Sequence, residues 1–155
     1  MATAGRNVQS ALVTLFTAAV PGTTVHNGPR RRGNRPTQYL LVGVNGISED
    51  TAGLRSTQAP SPMDGTWRDE AGEIDCTAVV WSGDADAFDQ IRSTADSIVA
   101  ACEAEVNADP QLGGLLQPAN NSAALTALDI REAHTDKGPF VEAVFTISYS
   151  TVLTS

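Results

Sequence analysis

The sequence predicts an α+β domain, a mostly antiparallel sheet of about four strands with two helices packed on it. Three observations predict it. From Asp84 to Leu116 the residues Phe88, Ile91, Ala95, Ile98, Cys102 and Val106 step by three or four, which places them on one face of a long helix. From Val141 to Tyr149 the apolar residues Val141, Ala143, Phe145, Ile147 and Tyr149 alternate with Glu142, Val144, Thr146 and Ser148, the period of a strand. The order of elements along the chain, helix, strand, strand, helix, strand, strand, favours antiparallel pairing with both helices on one face.

Taken in order, the first helix spans Asn7 to Val20, with Val8, Leu12, Leu15, Phe16 and Ala19 as its apolar stripe. Asn7 is placed to cap it, and Pro21-Gly22 closes it. The apolar run Ala11 to Val20 after a lone Arg6 faintly imitates a signal peptide. The thin basic region, the interrupting threonines and Pro21 favour a plain helix.

Residues 23–36 read as a loop, because Gly28, Pro29, Gly33 and Pro36 exclude regular structure. This loop packs Arg30, Arg31, Arg32 and Arg35 together, four of the ten Lys and Arg residues in the chain. Two readings stand: an arginine arm that docks on an acidic neighbour or on phosphates, or a solvated loop. So polarised a charge distribution suits self-association, basic loop to acidic flank.

Thr37 to Gly46 reads as a strand covered on both faces, from the continuous run Leu40-Leu41-Val42. Residues 47–65 hold few large apolar residues and read as a long, mobile loop. Thr66 to Ser82 is the next strand, with Ile74, Cys76, Ala78 and Val80 on one face and Glu73, Asp75, Thr77 and Val79 on the other. Asp84 is a plausible N-cap for the long helix, and Asp109-Pro110 with Gly113-Gly114 ends it. Ala123 to His134 is a strand with Leu128 and Ile130 on one face and Asp129 and Arg131 on the other. The turn Thr135–Pro139 joins it to the final strand as a hairpin.

The 155 residues make one domain, 1–155, long enough to bury a core. A hydrophobic content of 41% against 18% charged residues marks a globular chain. The net charge of -8 argues against a general binder of nucleic acid or anionic membrane. No segment reaches the apolar length of a membrane span. Cys76 and Cys102 lie in apolar periodic runs and read as buried thiols of a reducing compartment.

Catalytic and cofactor patterns are missing from the sequence: there is no phosphate-binding glycine loop before Lys-Ser or Lys-Thr, no nucleophile elbow and no zinc spacing. No catalytic, cofactor-binding or metal-ligating residue is assigned. His26 and His134 sit in no ligand spacing with the cysteines. Asp69, Glu70, Glu73 and Asp75 read as a solvated strand face rather than a cation or acid/base site, since Gly72 is wrongly placed for a calcium loop. Trp67 and Trp81 read as packing or interface residues.

Between Thr77 and Tyr149, AVVWSGDAD leads into the long helix, ADPQLGGLL stands at its end, AHTDKGPF at the hairpin turn and VEAVFTISY in the closing strand. On these stretches the chain resembles the tail terminator proteins of long-tailed, siphovirus-type bacteriophages, especially those of actinobacteria. The resemblance implies a virion structural protein with no reaction and no cofactor, whose subunits form a hexameric ring. Such a ring caps the tail tube at its head-proximal end and meets the tail-tube protein on one side. On the other it meets the head-tail connector or stopper protein. Assembly in host cytoplasm, no membrane partner, and passage of DNA through the lumen without specific binding follow from the same resemblance. The arginine loop has no counterpart in it, which leaves Arg30, Arg31, Arg32 and Arg35 as interface candidates from charge alone.

Three rivals remain. Another neck or tail protein, a connector, stopper or tail-tube subunit, shares size and α+β content, and its position in the particle would separate it. A nucleic-acid-binding module on the arginine loop predicts binding that weakens steeply with salt. A small enzyme built on Asp69, Glu73 and Asp75 predicts that they converge in a pocket with shifted acidities.

Overall fold

A computed structural model describes residues 3–29, 36–46, 53–60, 67–118 and 121–154. The order is α1 (Gly5–Ala19), β1 (Thr24–Asn27), β2 (Gln38–Val42), β3 (Leu54–Pro60), β4 (Trp67–Trp81), α2 (Phe88–Ala108), β5 (Ala123–Thr135) and β6 (Gly138–Thr154). The strands form one six-stranded sheet in the order β1-β2-β4-β6-β5, with β3 also paired to β4. Every pairing is antiparallel except β1 with β2.

The α+β class, the two helices and the antiparallel hairpin agree with the sequence reading, whereas the sheet has six strands rather than about four. Both additional strands lie inside expected loops. β1 interrupts the 23–36 segment. β3 overturns the loop expected over residues 47–65 at its centre, and residues 47–52 and 61–66 lie outside the described residues. The physical reason is the length of β4. β2 pairs only with Cys76–Val80, which leaves Arg68–Ile74 with an open ladder that β3 fills. LRSTQAP has little strand propensity of its own, so the pairing comes from its neighbour.

The helices cover one face. Val8, Leu12 and Phe16 of α1 and Ile91, Ala95, Ile98, Val99, Cys102 and Val106 of α2 are buried against Leu40, Val42, Ile74, Cys76, Ala78, Ala143, Phe145 and Ile147. Phe16 meets Phe145 edge-on at 6.1 Å between centroids. Each such large side chain contributes roughly 2 kcal/mol by leaving water. Cys76 and Cys102 are both buried and free. On the opposite face Tyr39, Leu41, Val44 and Val79 form a second, smaller cluster with Phe140. β2 is therefore buried on both faces, as its continuous apolar run predicts.

Two expected caps are absent. α2 begins at Phe88 behind Ala87, and no side chain caps it. Asp84 instead shapes the preceding turn, its Oδ1 accepting from the Asp86 N–H at 3.0 Å and its carbonyl from the Ala87 N–H at 3.1 Å. Asn7 lies inside α1, whose first turn is served from β4: the Ala4 N–H donates to Glu70 Oε2 at 2.9 Å. The stop of α2 after Ala108, ahead of Pro110, agrees with the sequence reading.

Candidate functional site

The four arginines singled out from sequence, Arg30, Arg31, Arg32 and Arg35, lie outside the described residues. Their attachment is described. The chain leaves β1 through Gly28, whose N–H donates to the Val42 carbonyl at 2.8 Å, and returns at Pro36, whose carbonyl accepts from Trp81 Nε1 at 2.8 Å. The segment thus departs from the end of β1 against β2 and returns at the start of β2 against β4.

The carboxylates of β4 are not one solvated face. Asp69 and Glu73 are exposed, but Glu70 and Asp75 are each only 1% exposed. They point to opposite faces of the strand, because their separation of five residues is odd. Glu70 lies under the start of α1. Its carboxylate accepts from the Ala4 N–H, Thr3 Oγ1, Gln58 Nε2 and the Tyr149 hydroxyl. A negative charge at the positive end of a helix is stabilised by the helix dipole.

Asp75 lies on the other face. It accepts from Asn45 Nδ2 at 2.8 Å, Arg55 Nη1 at 2.8 Å and Thr146 Oγ1 at 2.7 Å. Burial pushes its carboxyl up, and the bonds from Arg55, Asn45 and Thr146 together outweigh burial and hold it below its ordinary value. Arg55 also reaches Glu73 at 3.0 Å. Asp75 and Glu73 therefore share an arginine as structural ion pairs. Asp69 is not brought to them: it pairs with Ala59 across the ladder. The acid/base arrangement that an enzyme on these residues requires is not assembled.

β5 forms the other edge of the sheet. From Thr126 to Thr135 every residue is exposed. Leu128 at 48% and Ile130 at 46% are the exposed large hydrophobic residues among those described. They share the helix-side face, as the alternation predicts, because they oppose Phe145 and Ala143. The first turns of α2 are fastened to this strand. Arg92 Nε and Nη2 donate to the two oxygens of Glu132 at 2.7 and 2.8 Å, and the same guanidinium stacks 4.3 Å from the centroid of Phe88. His134 is exposed, its ring 5.9 Å from that of Phe88. This is an anchor between helix and strand.

Sequence reasoning missed the bonding roles of Arg55, Gln9 and Glu142, and it placed Glu70 on a solvated face although that residue is buried. Gln9, buried in α1, donates to Asn27 Oδ1 at 2.7 Å and the Val42 carbonyl at 3.1 Å, which ties the helix to β1 and β2. Glu142 is buried in β6 and accepts from Arg131 at 3.4 Å. One signal was available for Arg55: it is the single basic residue of an otherwise uncharged or acidic 19-residue stretch (47–65). The open depression of about 240 Å³ lined by Arg55, Ser56, Gly72, Glu73 and Tyr149 holds no unpaired acid or base pair suited to catalysis. Among the described residues, His, Cys, Asp and Glu form no group of three or more that could hold a metal ion, and no helix is long and apolar enough to cross a membrane.

No known family model matches the chain, and no curated protein matches it. Among solved structures it is similar to a chain in the virion of a native gene transfer agent (GTA) particle. The identity is 12%, the TM-score 0.47, and the likeness covers 95% of this chain and 92% of that one. At that identity and TM-score the likeness carries no argument about function.

Proposed function

We propose that this chain is a virion structural protein, a tail terminator of a long-tailed bacteriophage. In this reading six copies form a ring that caps the tail tube and joins it to the head connector or stopper. The observation that carries the reading is the run of family-like stretches from Thr77 to Tyr149. They fall on scaffold: the end of β4, the start and end of α2, the β5–β6 turn and β6. A function built from such parts is one of shape and contact. The reading is supported by the use of the conspicuous carboxylates Glu70 and Asp75 as internal supports, which leaves no assembled acid/base site on β4.

The same reading assigns no enzymatic activity and no cofactor to the chain. It places the chain in the neck of the particle, assembled in host cytoplasm. The segment of Arg30, Arg31, Arg32 and Arg35 takes an interface, either with the next copy or with the connector. The test is a reconstruction of the particle's neck. A six-fold ring of this chain at the head-proximal end of the tail tube is the expected result. A ring of twelve, or single copies decorating another protein, would overturn the terminator reading. Repeated rings along the tail would assign the chain to the tube instead.

A further inference from the structure

β3 is held differently from the other strands. It pairs with β4 along one side, and no other described strand pairs with it. None of its residues is buried: Leu54 and Gln58 are half-buried and the other five are exposed. Its contribution to the main core is Leu54, which reaches the start of α1 at Gly5. Its cross-strand partners supply little packing, with Ser56 opposite Gly72 and Thr57 opposite Ala71, and the open depression of about 240 Å³ lies along the same stretch.

Side chains fasten β3 to β4 on both faces. Gln58 Nε2 donates to Glu70 Oε1 at 3.2 Å on the helix side, and Arg55 Nη1 donates to Asp75 Oδ2 at 2.8 Å on the other. Both carboxylates also have partners that do not belong to β3. Glu70 keeps the Ala4 N–H and Thr3 Oγ1, and Asp75 keeps Asn45 Nδ2 and Thr146 Oγ1. Departure of β3 therefore leaves neither carboxylate without a donor, and it takes little apolar surface from the core. A segment built this way opens at a lower free energy than the whole fold.

We infer that residues 53–60 form a separable strand. It leaves β4 as a unit while both helices and the other five strands stay folded, and its departure bares the ladder of β4 from Arg68 to Ile74. This opening does not depend on the proposed ring.

Neighbouring amides of β4 report the two sides. The Asp75 N–H donates to the Gly53 carbonyl at 2.8 Å, so by alternation the Cys76 N–H faces β6. Amide hydrogen exchange of the full-length chain at neutral pH is expected to find Asp75 protected at least about tenfold less than Cys76 and the amides of α2. Low urea should speed exchange steeply at Cys76 and along α2 and hardly at all at Asp75, since opening β3 exposes little surface. Val106→Ala acts in α2, which does not approach β3 among the described residues, and removes packing that the open form retains. It should lower protection at Cys76 and along α2 by about tenfold or more and leave Asp75 within about twofold of the native chain. Ile98→Val, with a fall of about threefold, serves in its place if that variant does not fold. Arg55→Met breaks a contact that only the closed form makes, so it should lower protection at Asp75 and at Cys76 by one common factor. Equal protection of Asp75 and Cys76 in the native chain, or an Asp75 amide that follows Cys76 in the core variant, overturns the separable strand. An Asp75 amide unmoved by Arg55→Met overturns the fastening assigned to that arginine.

Discussion

Arg55 Nη1 lies 2.8 Å from Asp75 Oδ2, and this contact holds a buried carboxylate on a strand that the sequence presents as solvated. Asn45 and Thr146 complete the set of donors, so Asp75 joins four separate segments of the chain. Removing Arg55 leaves burial, the largest influence on Asp75, with less to oppose it. Arg55→Met is expected to cost about 2 kcal/mol near neutral pH, since the charged acceptor loses its strongest partner. Adding Asp75→Asn should restore part of that loss.

The pH dependence follows from the sign of the Asp75 shift. A carboxyl held low in the folded state stabilises the fold above its ordinary pKa, and the contribution is lost as pH falls through the folded value. The native chain should therefore lose the Asp75 share only below about pH 4. In Arg55→Met the carboxyl should be pushed the other way by burial, so the variant's deficit should shrink between about pH 7 and about pH 5. Urea midpoints of both chains at the two pH values check this. An equal deficit at both would show that Asp75 keeps its charge without the arginine.

Tyr149 gives an alkaline counterpart. Burial, then the nearby Glu70 carboxylate, push its phenol up to about 12. A group raised in the folded state stabilises the fold fully below its ordinary pKa and loses that contribution as pH rises toward the folded value. Stability should therefore decline from about pH 10 upward. Glu70→Gln should lower the phenol pKa, as read by ultraviolet absorbance. It should also lower stability by about 1 kcal/mol through the weakened cap on α1. A Tyr149 titration unmoved by Glu70→Gln would separate the two residues.

The parts that were legible are those with local cause. The stripe Ile91, Ala95, Ile98, Cys102 and Val106 is buried because period and burial coincide within one helix. The hairpin closed by Thr135–Pro139 is set by its own turn residues and the alternation of β6. The parts that were not legible have distant causes. β3 is a strand because Arg68–Ile74 offers it a ladder, and nothing within LRSTQAP reports that. Glu70 caps a helix that begins 65 residues before it, so a cap sought among Asn7 and its neighbours could not be found. Arg30, Arg31, Arg32 and Arg35 were visible as a charge cluster, yet charge alone names no partner.

Glycine positions separate two kinds of backbone demand. At Gly53 an added Cβ would meet the Gly43 carbonyl oxygen at 2.0 Å, where β3 enters against the end of β2, and backbone cannot turn aside as a side chain can. At Gly83 an added Cβ meets nothing within 4 Å. Gly53→Ala is expected to cost about 3 kcal/mol through forced displacement of β3, and Gly83→Ala to stay within about 0.5 kcal/mol of the native chain. Thermal unfolding of the two variants side by side checks this. A tolerated Gly53→Ala would mean that the entry to β3 can shift away from β2 without cost.

Replacing Arg30, Arg31, Arg32 and Arg35 with serine tests what the basic segment meets. The net charge would move from -8 to -12, by subtraction of four positive charges. If the segment faces the acidic flank of the next copy, ring formation should fail, and for the native chain it should weaken as added salt shortens the screening length to about 8 Å and below. If it faces the connector, rings should form normally while heads fail to join tails. Electron microscopy of the purified chain and of particles carrying the variant distinguishes the two. A melting temperature that changes little in the variant would separate a role in assembly from a role in folding. Normal rings together with normal joining would reduce the segment to a solvated connection between β1 and β2.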